Sequence, residues 1–380
     1  MSSLLERIER QLAACTDAFV GAELRAERAA YLVRIGEFVE AREVLGLLRE
    51  QFGDAKNARV SIWLMLVEGL LLYFERVSHL ARDRVLRARA IAVAFRIDDL
   101  RLLTGAWLAH LEFERGAYSE MLMLLQEVLT FRGKVSVDLK ARVSIILGNI
   151  YSYCGRFDVA GRWFEFCRQS SIDAGDRATM GALMYNRASF GLEYLRVRSL
   201  GYEDSVDVMR VDLLARELES AWAFQVGTRV LSLVHLIDVS RARAQMLRGD
   251  YARAIEILKP IAMQLDTLED RSNRSSLFVD ILYCRGMSAD SDVIVDLLRS
   301  VDDVDILRLD VDERIVAAAM CLSLARRHEQ ESLIAKFSPL YENSKKEYEC
   351  DLGQLSRGLS LEVFGSVPSG WSCDAVVDNQ

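Results

Sequence analysis

Proline is nearly absent from this chain: Pro260, Pro339 and Pro368 are the three in 380 residues. Proline breaks helices by losing its N–H and crowding the preceding turn, so few points exclude a helix on that ground. Lysine is scarce as well, seven of the 48 basic residues. The positive charge is mostly guanidinium, whose planar fork suits carboxylates. The seven cysteines, at 15, 154, 167, 284, 321, 350 and 373, are odd in number and contain no CxxC. That spacing argues against a disulfide framework or a zinc site and suits reduced thiols in cytoplasm. The most apolar stretch, Trp63 to Phe74, is interrupted by Glu68; crossing a bilayer takes roughly 20 apolar residues, so no membrane span is expected. Met1-Ser2-Ser3-Leu4-Leu5-Glu6-Arg7 has no long apolar core behind a basic start, so no signal peptide is expected either. The net charge of −8 lacks the basic footprint of a direct nucleic-acid binder.

What the chain does have is a spaced pattern. Leu147-Gly148-Asn149-Ile150-Tyr151 is followed by Gly155-Arg156-Phe157, then Ala160 and Phe164. Gly148 would let one helix approach its partner closely, and Gly155 would take a turn conformation costly to other residues. Phe157 and Phe164 would wedge between hairpins, with Ala160 at their closest crossing. The second half recurs as Gly36-Glu37-Phe38 with Ala41 and Leu45, and as Gly249-Asp250-Tyr251 with Ala254 and Leu258. Gly116-Ala117-Tyr118 with Leu125 is a further copy, in which Met121 replaces the small residue. Gly116 and Gly155 are 39 residues apart, Gly36 lies 80 before Gly116, and Gly249 lies 94 after Gly155, leaving room for degenerate copies and an insertion. A step of that size predicts stacked helical hairpins, each burying an apolar face on its neighbours. The 51% apolar content and mean hydropathy of +0.09 are high for an exposed array. A second copy, giving a homo-oligomer, or another partner would cover part of such a surface.

Periodicity predicts helices over 4–17, 22–34, 39–51 and 59–74, the last apolar on nearly all sides, with a degenerate companion at 78–95. Hairpins follow at about 99–130 and 138–170, entered through acidic links that suit helix starts. Helix 177–195 leads into Arg198-Ser199-Leu200-Gly201-Tyr202-Glu203-Asp204-Ser205, a candidate inserted loop spanning 197–206. Helices near 206–226 and 228–248 precede Gly249; a link at Arg271–Ser275 separates later helices near 276–286, 290–300 and 311–326. Ser338-Pro339 reads as a cap with a first-turn proline, dividing 330–337 from 339–350. Residues 351–363 would close the stack, with a loose tail over 364–380.

The turn and packing residues resemble the tetratricopeptide repeat superfamily over about two-thirds of the chain. The step near 39 is similar to its longer-repeat branch, which includes the solenoids of MalT-like transcription activators and peptide-sensing bacterial regulators. The resemblance implies an all-α, right-handed α-solenoid over residues 1–363. No GxxxxGK[ST] phosphate loop or convincing helix-turn-helix accompanies it, although such regulators normally carry a further module. The resemblance also implies peptide recognition in a concave groove lined by the first helix of each hairpin. The positions that would face this groove are Arg34; His110 and Glu114; Arg142, Asn149 and Tyr153; and Arg243. Asn186, 37 residues after Asn149, is expected at the matching place. An asparagine donates and accepts at once, which suits a peptide backbone.

Catalytic or metal chemistry has little to stand on. His79, His110, His235 and His328 fall on separate hairpins without HExxH or paired Cys/His spacing. His235 reads as a core residue, and Cys154 and Cys167 as inert filling. The acidic runs at 288–292 and 301–305 lack an EF-hand's glycine and closing glutamate and suit helix starts better. The expectation is a non-enzymatic adaptor or assembly scaffold, without cofactor or metal, that binds a protein or peptide partner. Its alternative is a sensor of a peptide or small ligand that controls an effector.

Overall fold

A computed structural model of the chain describes residues 3–53, 57–76, 78, 80–232, 234–265, 271–288 and 292–371. His79 and positions 289–291 of the first acidic run lie outside the described residues. The fold is all-α: 19 α-helices, one π-helical segment and one 3-10 turn, with no strand among the described residues.

One backbone device makes most of the hairpins. At Gly155 the chain turns with φ +71°, and the N–H of Arg156 reaches back to the carbonyl of Tyr151 at 2.8 Å. This closes α8 (Val137–Tyr153) and releases α9 (Phe157–Ala174). The same bond joins Glu37 to Leu32, Ala117 to Glu112 and Asp250 to Gln245, each at 2.9 Å. These turns connect α2 (Ala18–Ile35) to α3 (Phe38–Phe52), α6 (Asp98–Glu114) to α7 (Tyr118–Leu129), and α12 (Val234–Leu247) to α13 (Tyr251–Leu265). A fifth copy joins Gln330 to Ala325 between α17 (Val311–Arg327) and α18 (Glu331–Gly358). Its left-handed residue is Glu329, 80 positions after Gly249, so no glycine marks it. At Gly148 the expected close approach is present: a Cβ there would run into the Phe164 ring.

The remaining elements are α1 (Ser3–Ala14), α4 (Ala58–Arg76), α5 (Leu80–Ala94), α10 (Arg177–Arg196), α11 (Val208–Thr228), α14 (Arg271–Ser288), α15 (Asp292–Arg299), α16 (Asp303–Leu307) and α19 (Glu362–Gly365). Helix α4 is sandwiched as its composition requires, with Val60, Ile62, Trp63, Leu66, Val67 and Leu70 buried. Asp302 accepts from Val304 N at 2.9 Å at the start of α16, the helix-start role expected of that acidic run.

Several boundaries differ from the sequence expectation. Residues 271–275 belong to α14 rather than to a link. The candidate loop begins as a π-helical continuation of α10 (Val197–Gly201), with Val197 and Gly201 buried and the Gly201 carbonyl accepting from Tyr341 Oη at 2.7 Å. Pro339 does not divide α18. Ser338 Oγ donates to the Ile334 carbonyl at 2.7 Å instead of capping a new helix. The continuous helix is fixed by packing, with Leu333, Phe337, Ser344, Tyr348 and Leu355 buried along one stripe. His235 is exposed, not core.

The described part of the tail is docked. Trp163 Nε1 donates to the Phe364 carbonyl at 3.1 Å, and buried Trp371 stacks on Phe166 with ring centroids 6.1 Å apart. Apolar burial explains this return, since two tryptophans and a phenylalanine leave water together.

The first helices of successive hairpins form a row, α2 on α4, α4 on α6, α6 on α8, α8 on α10 and α10 on α12. The row curves far enough for α10 to touch α2. The link between α11 and α12 also reaches the end of α2, with Leu231 N donating to the Ile35 carbonyl at 2.8 Å and Ser232 Oγ to the Arg34 carbonyl at 2.7 Å. The row therefore brings one face of each of α2, α4, α6, α8 and α10 to a common inner wall.

Candidate binding site on the inner wall

The expected groove residues lie on helices of this row, but several of them are buried rather than open. Arg142 is 8% exposed, Asn149 1% and Arg243 8%. His110, Asn149 and Arg243 each lie six residues before a turn glycine, the same register on α6, α8 and α12. That register carries them inward in every copy; what each finds there differs.

On the upper wall, Tyr73 of α4 is the hub. Its hydroxyl donates to Glu114 and meets His110 Nε2 at 2.9 Å. Burial and the Glu114 charge push the Tyr73 phenol well above its usual range, so it stays a neutral donor. Burial, with the charge on Arg142, pushes His110 down to about 3, which keeps the imidazole neutral near pH 7. Its Nδ1 is buried without a hydrogen-bond partner among the described residues. Glu114 is pushed up to about 7 because surrounding protein withholds bulk water, even though its side chain is 43% exposed on the inner space. The Tyr185 phenol of α10 is a further, smaller influence that raises Tyr73.

Arg142 completes this wall. Its guanidinium carbon lies 3.7 Å from the centre of the Trp107 ring, a cation–π contact, and Trp107 is 6.3 Å from the His110 ring. Arg34 lies on the same wall but is engaged. It donates to Asp176 Oδ2 at 2.6 Å, and Asp176 also accepts from Thr179 N at 2.9 Å and Thr179 Oγ1 at 2.7 Å. Burial works against the Asp176 charge, yet Arg34 and these hydrogen bonds hold its carboxyl below the usual range.

The lower wall is built differently. Arg196 of α10 and Arg243 of α12 share three carboxylates, Glu193, Asp280 and Glu313. Arg196 Nη2 meets Asp280 Oδ1 at 2.6 Å, while Arg243 Nε meets Asp280 Oδ2 at 3.0 Å. Ser276 Oγ accepts from Arg243 at 2.8 Å and donates to Glu313 at 2.8 Å. This network joins α10, α12, α14 and α17, and it occupies Arg243 with structural work. Arg243 is thus not available to a ligand as expected.

Tyr153 packs edge-on against Phe113, 5.9 Å between centroids, and against Tyr348 of α18 at 6.0 Å. Asn186 is half-buried, and its side chain forms no hydrogen bond with the described residues. Asn149 Oδ1 is buried without a hydrogen-bond partner among the described residues. The structure thus brings Arg34, His110, Glu114 and Arg142 onto one wall, while Arg243 joins the ion network and Tyr153 an aromatic seam. Tyr73, Trp107, Asp176 and Tyr185 had escaped notice. Trp107 precedes His110 by three residues, one helical turn, and that spacing could have marked it. Tyr73 sits in a copy without the turn glycine, so no register pointed to it.

Buried Cys167, Cys284 and Cys321 have thiols pushed up to about 12 by desolvation, which makes them poor nucleophiles. Among the described residues no group of three or more His, Cys, Asp or Glu is placed to hold a metal ion. No described helix is long and apolar enough to cross a membrane. No family model matches this chain, and no curated protein matches it.

Proposed function

We propose that this chain is a non-enzymatic recognition protein, built as a right-handed superhelix of tetratricopeptide-like hairpins, that senses a peptide or small ligand on its inner wall. The observation that carries this reading is the convergence of Tyr73, His110, Glu114 and Arg142, from three first helices, on a recessed space. A recessed wall of aromatic and polar groups suits a small or extended ligand better than the surface of a folded protein. Such a ligand would bridge helices of several hairpins, and its binding would favour one curvature of the row over others. The outer surface would then present that curvature to an effector.

An adaptor that holds a protein partner is the second reading. It is favoured by α11, which leaves the apolar side chains Met209, Leu213, Trp222 and Val226 exposed. Titration of the full chain with a library of short peptides, read by calorimetry, separates the two. The sensor reading expects saturable binding that is weakened about tenfold by Glu114→Gln with Asn186→Ala, each lost polar contact being worth ~0.5–1.5 kcal/mol. Binding left intact by that pair but abolished by Met209→Glu with Trp222→Glu would favour the adaptor and overturn the sensor.

A further inference from the structure

We propose that Arg142 is the anchor of an anion subsite on the inner wall, one that takes a carboxylate or phosphate group of a ligand; this rests on the inner-wall reading above. Arg142 is nine-tenths buried, yet no described carboxylate forms an ion pair with it and none of its nitrogens donates a hydrogen bond to the described residues. Nor is any of those nitrogens sealed off as a buried donor without a partner, so the guanidinium head opens onto the inner space. Buried arginines in proteins are normally paired, because an uncompensated charge out of water is expensive. The other two arginines buried most deeply on this wall obey that rule, with three shared carboxylates between them.

The surrounding charges leave Arg142 in excess. Asp176, the acid whose charge acts most on Arg142, is already engaged by Arg34 and Thr179. Asp138, one turn before Arg142 on α8, turns toward Arg7 at 3.7 Å. Glu114 is engaged by Tyr73, and His110 is neutral. The N-terminus of α10, beginning at Arg177, adds its positive end to the same region. Meanwhile the Trp107 ring holds the guanidinium plane from one side, which fixes its direction without using any N–H. A planar fork of donors, oriented by a ring and lacking an acceptor among the described residues, matches the pair of oxygens that a carboxylate or phosphate presents for bidentate binding. The carboxylate case corresponds to a peptide C-terminus or organic acid, the phosphate case to a phosphorylated ligand.

The test uses the full chain and two simple probes, sodium acetate and sodium phosphate, with sodium chloride at equal ionic strength as reference. Thermal unfolding should shift upward and saturably with at least one probe beyond the chloride reference, and the effective probe identifies the ligand chemistry. Arg142→Gln should weaken the apparent affinity for that probe about tenfold or more, whereas Arg142→Lys, which keeps charge without the fork, should retain part of it. No saturable shift with either probe, or an unaltered response in Arg142→Gln, overturns the subsite. If Arg142→Gln fails to fold by circular dichroism, phenylglyoxal labelling of the unaltered chain decides. Arg142 should be protected by the effective probe in the mapped peptides, and unprotected labelling overturns the proposal. Peptide binding that still depends on Glu114 and Asn186 after such a result would leave the inner-wall reading standing, and its absence would remove both.

Discussion

The upper and lower halves of the inner wall place buried arginines in opposite circumstances. Arg196 and Arg243 are locked among Glu193, Asp280 and Glu313, with Asp280 wholly out of water. Arg142 lies against Trp107 with no acid partner among the described residues. A sequence reading treats Arg142 and Arg243 alike, as inward-facing cations on first helices. Their surroundings separate them into one that ties four helices together and one that makes no ion pair with the described residues. Burial of a charge by itself therefore says nothing about its role; the partners decide.

The sharpest way to break this contrast is to remove an arginine from each half. Arg196→Met leaves Arg243 alone to compensate Asp280, Glu193 and Glu313, and thermal or denaturant unfolding should register a loss of about 3–5 kcal/mol. Arg142→Gln should change stability by no more than about 1 kcal/mol, because the cation–π contact it gives up is offset by relief from burying an unpaired charge. Equal losses in the two variants would show Arg142 to be structural as well.

Gly155 lies where the halves meet, next to Tyr194 of α10. Its φ of +71° is unfavourable for a side chain, and a Cβ there would lie 2.6 Å from Tyr194 Cε2. Gly155→Val should cost about 1–3 kcal/mol and lower the melting temperature clearly. A single transition in that variant would indicate that the halves unfold together, and two transitions that they part at this turn.

The acids of the lower half give a smaller, pH-dependent effect. Burial, with the neighbouring charges of Glu313, Asp310 and Glu193, pushes the Asp312 carboxyl up from 3.8 to about 7. As pH rises between these values the unfolded chain loses this proton first, so the folded state binds more protons and stability falls. Glu313 runs the other way. Despite burial, Arg196 and Arg243 pull it down to about 2, so its stabilisation is present above the unfolded pKa of 4.5 and is lost as pH falls toward 2. Asp312→Asn should therefore raise the melting temperature at pH 8, by the equivalent of roughly 1 kcal/mol or more, and the gain should vanish near pH 4. A gain that is the same at both pH values would mean that Asp312 is not held protonated by the fold.

Much of the architecture was legible in the residues. Gly36, Gly116, Gly155 and Gly249 do take left-handed turns, and Gly148 does lie where Phe164 leaves no room for a side chain. These features are local: a turn needs a residue that tolerates positive φ, and a close crossing needs a small one, wherever the rest of the chain goes. The turn at Glu329 was hidden because the surrounding packing fixes it in a non-glycine residue. Pro339 misled for a similar reason, since one missing N–H costs less than abandoning the buried stripe from Leu333 to Leu355.

The site was legible only as a list of inward positions. The step and phase of the repeat determine that His110, Asn149 and Arg243 point inward, because helical periodicity is a property of the segment itself. Which of them is paired, sealed or free depends on residues far away in sequence. Asp280 meets Arg196 across 84 positions, Asp176 takes Arg34 across 142, and the carbonyl of Phe364 meets Trp163 across 201. The sequence by itself determined an all-helical chain and the register of its turns. Only the tertiary structure decided that the row of first helices closes until α10 reaches α2, burying expected groove residues and leaving Arg142 without an ion-pair partner among the described residues, since closure is set by the summed packing of many helix pairs.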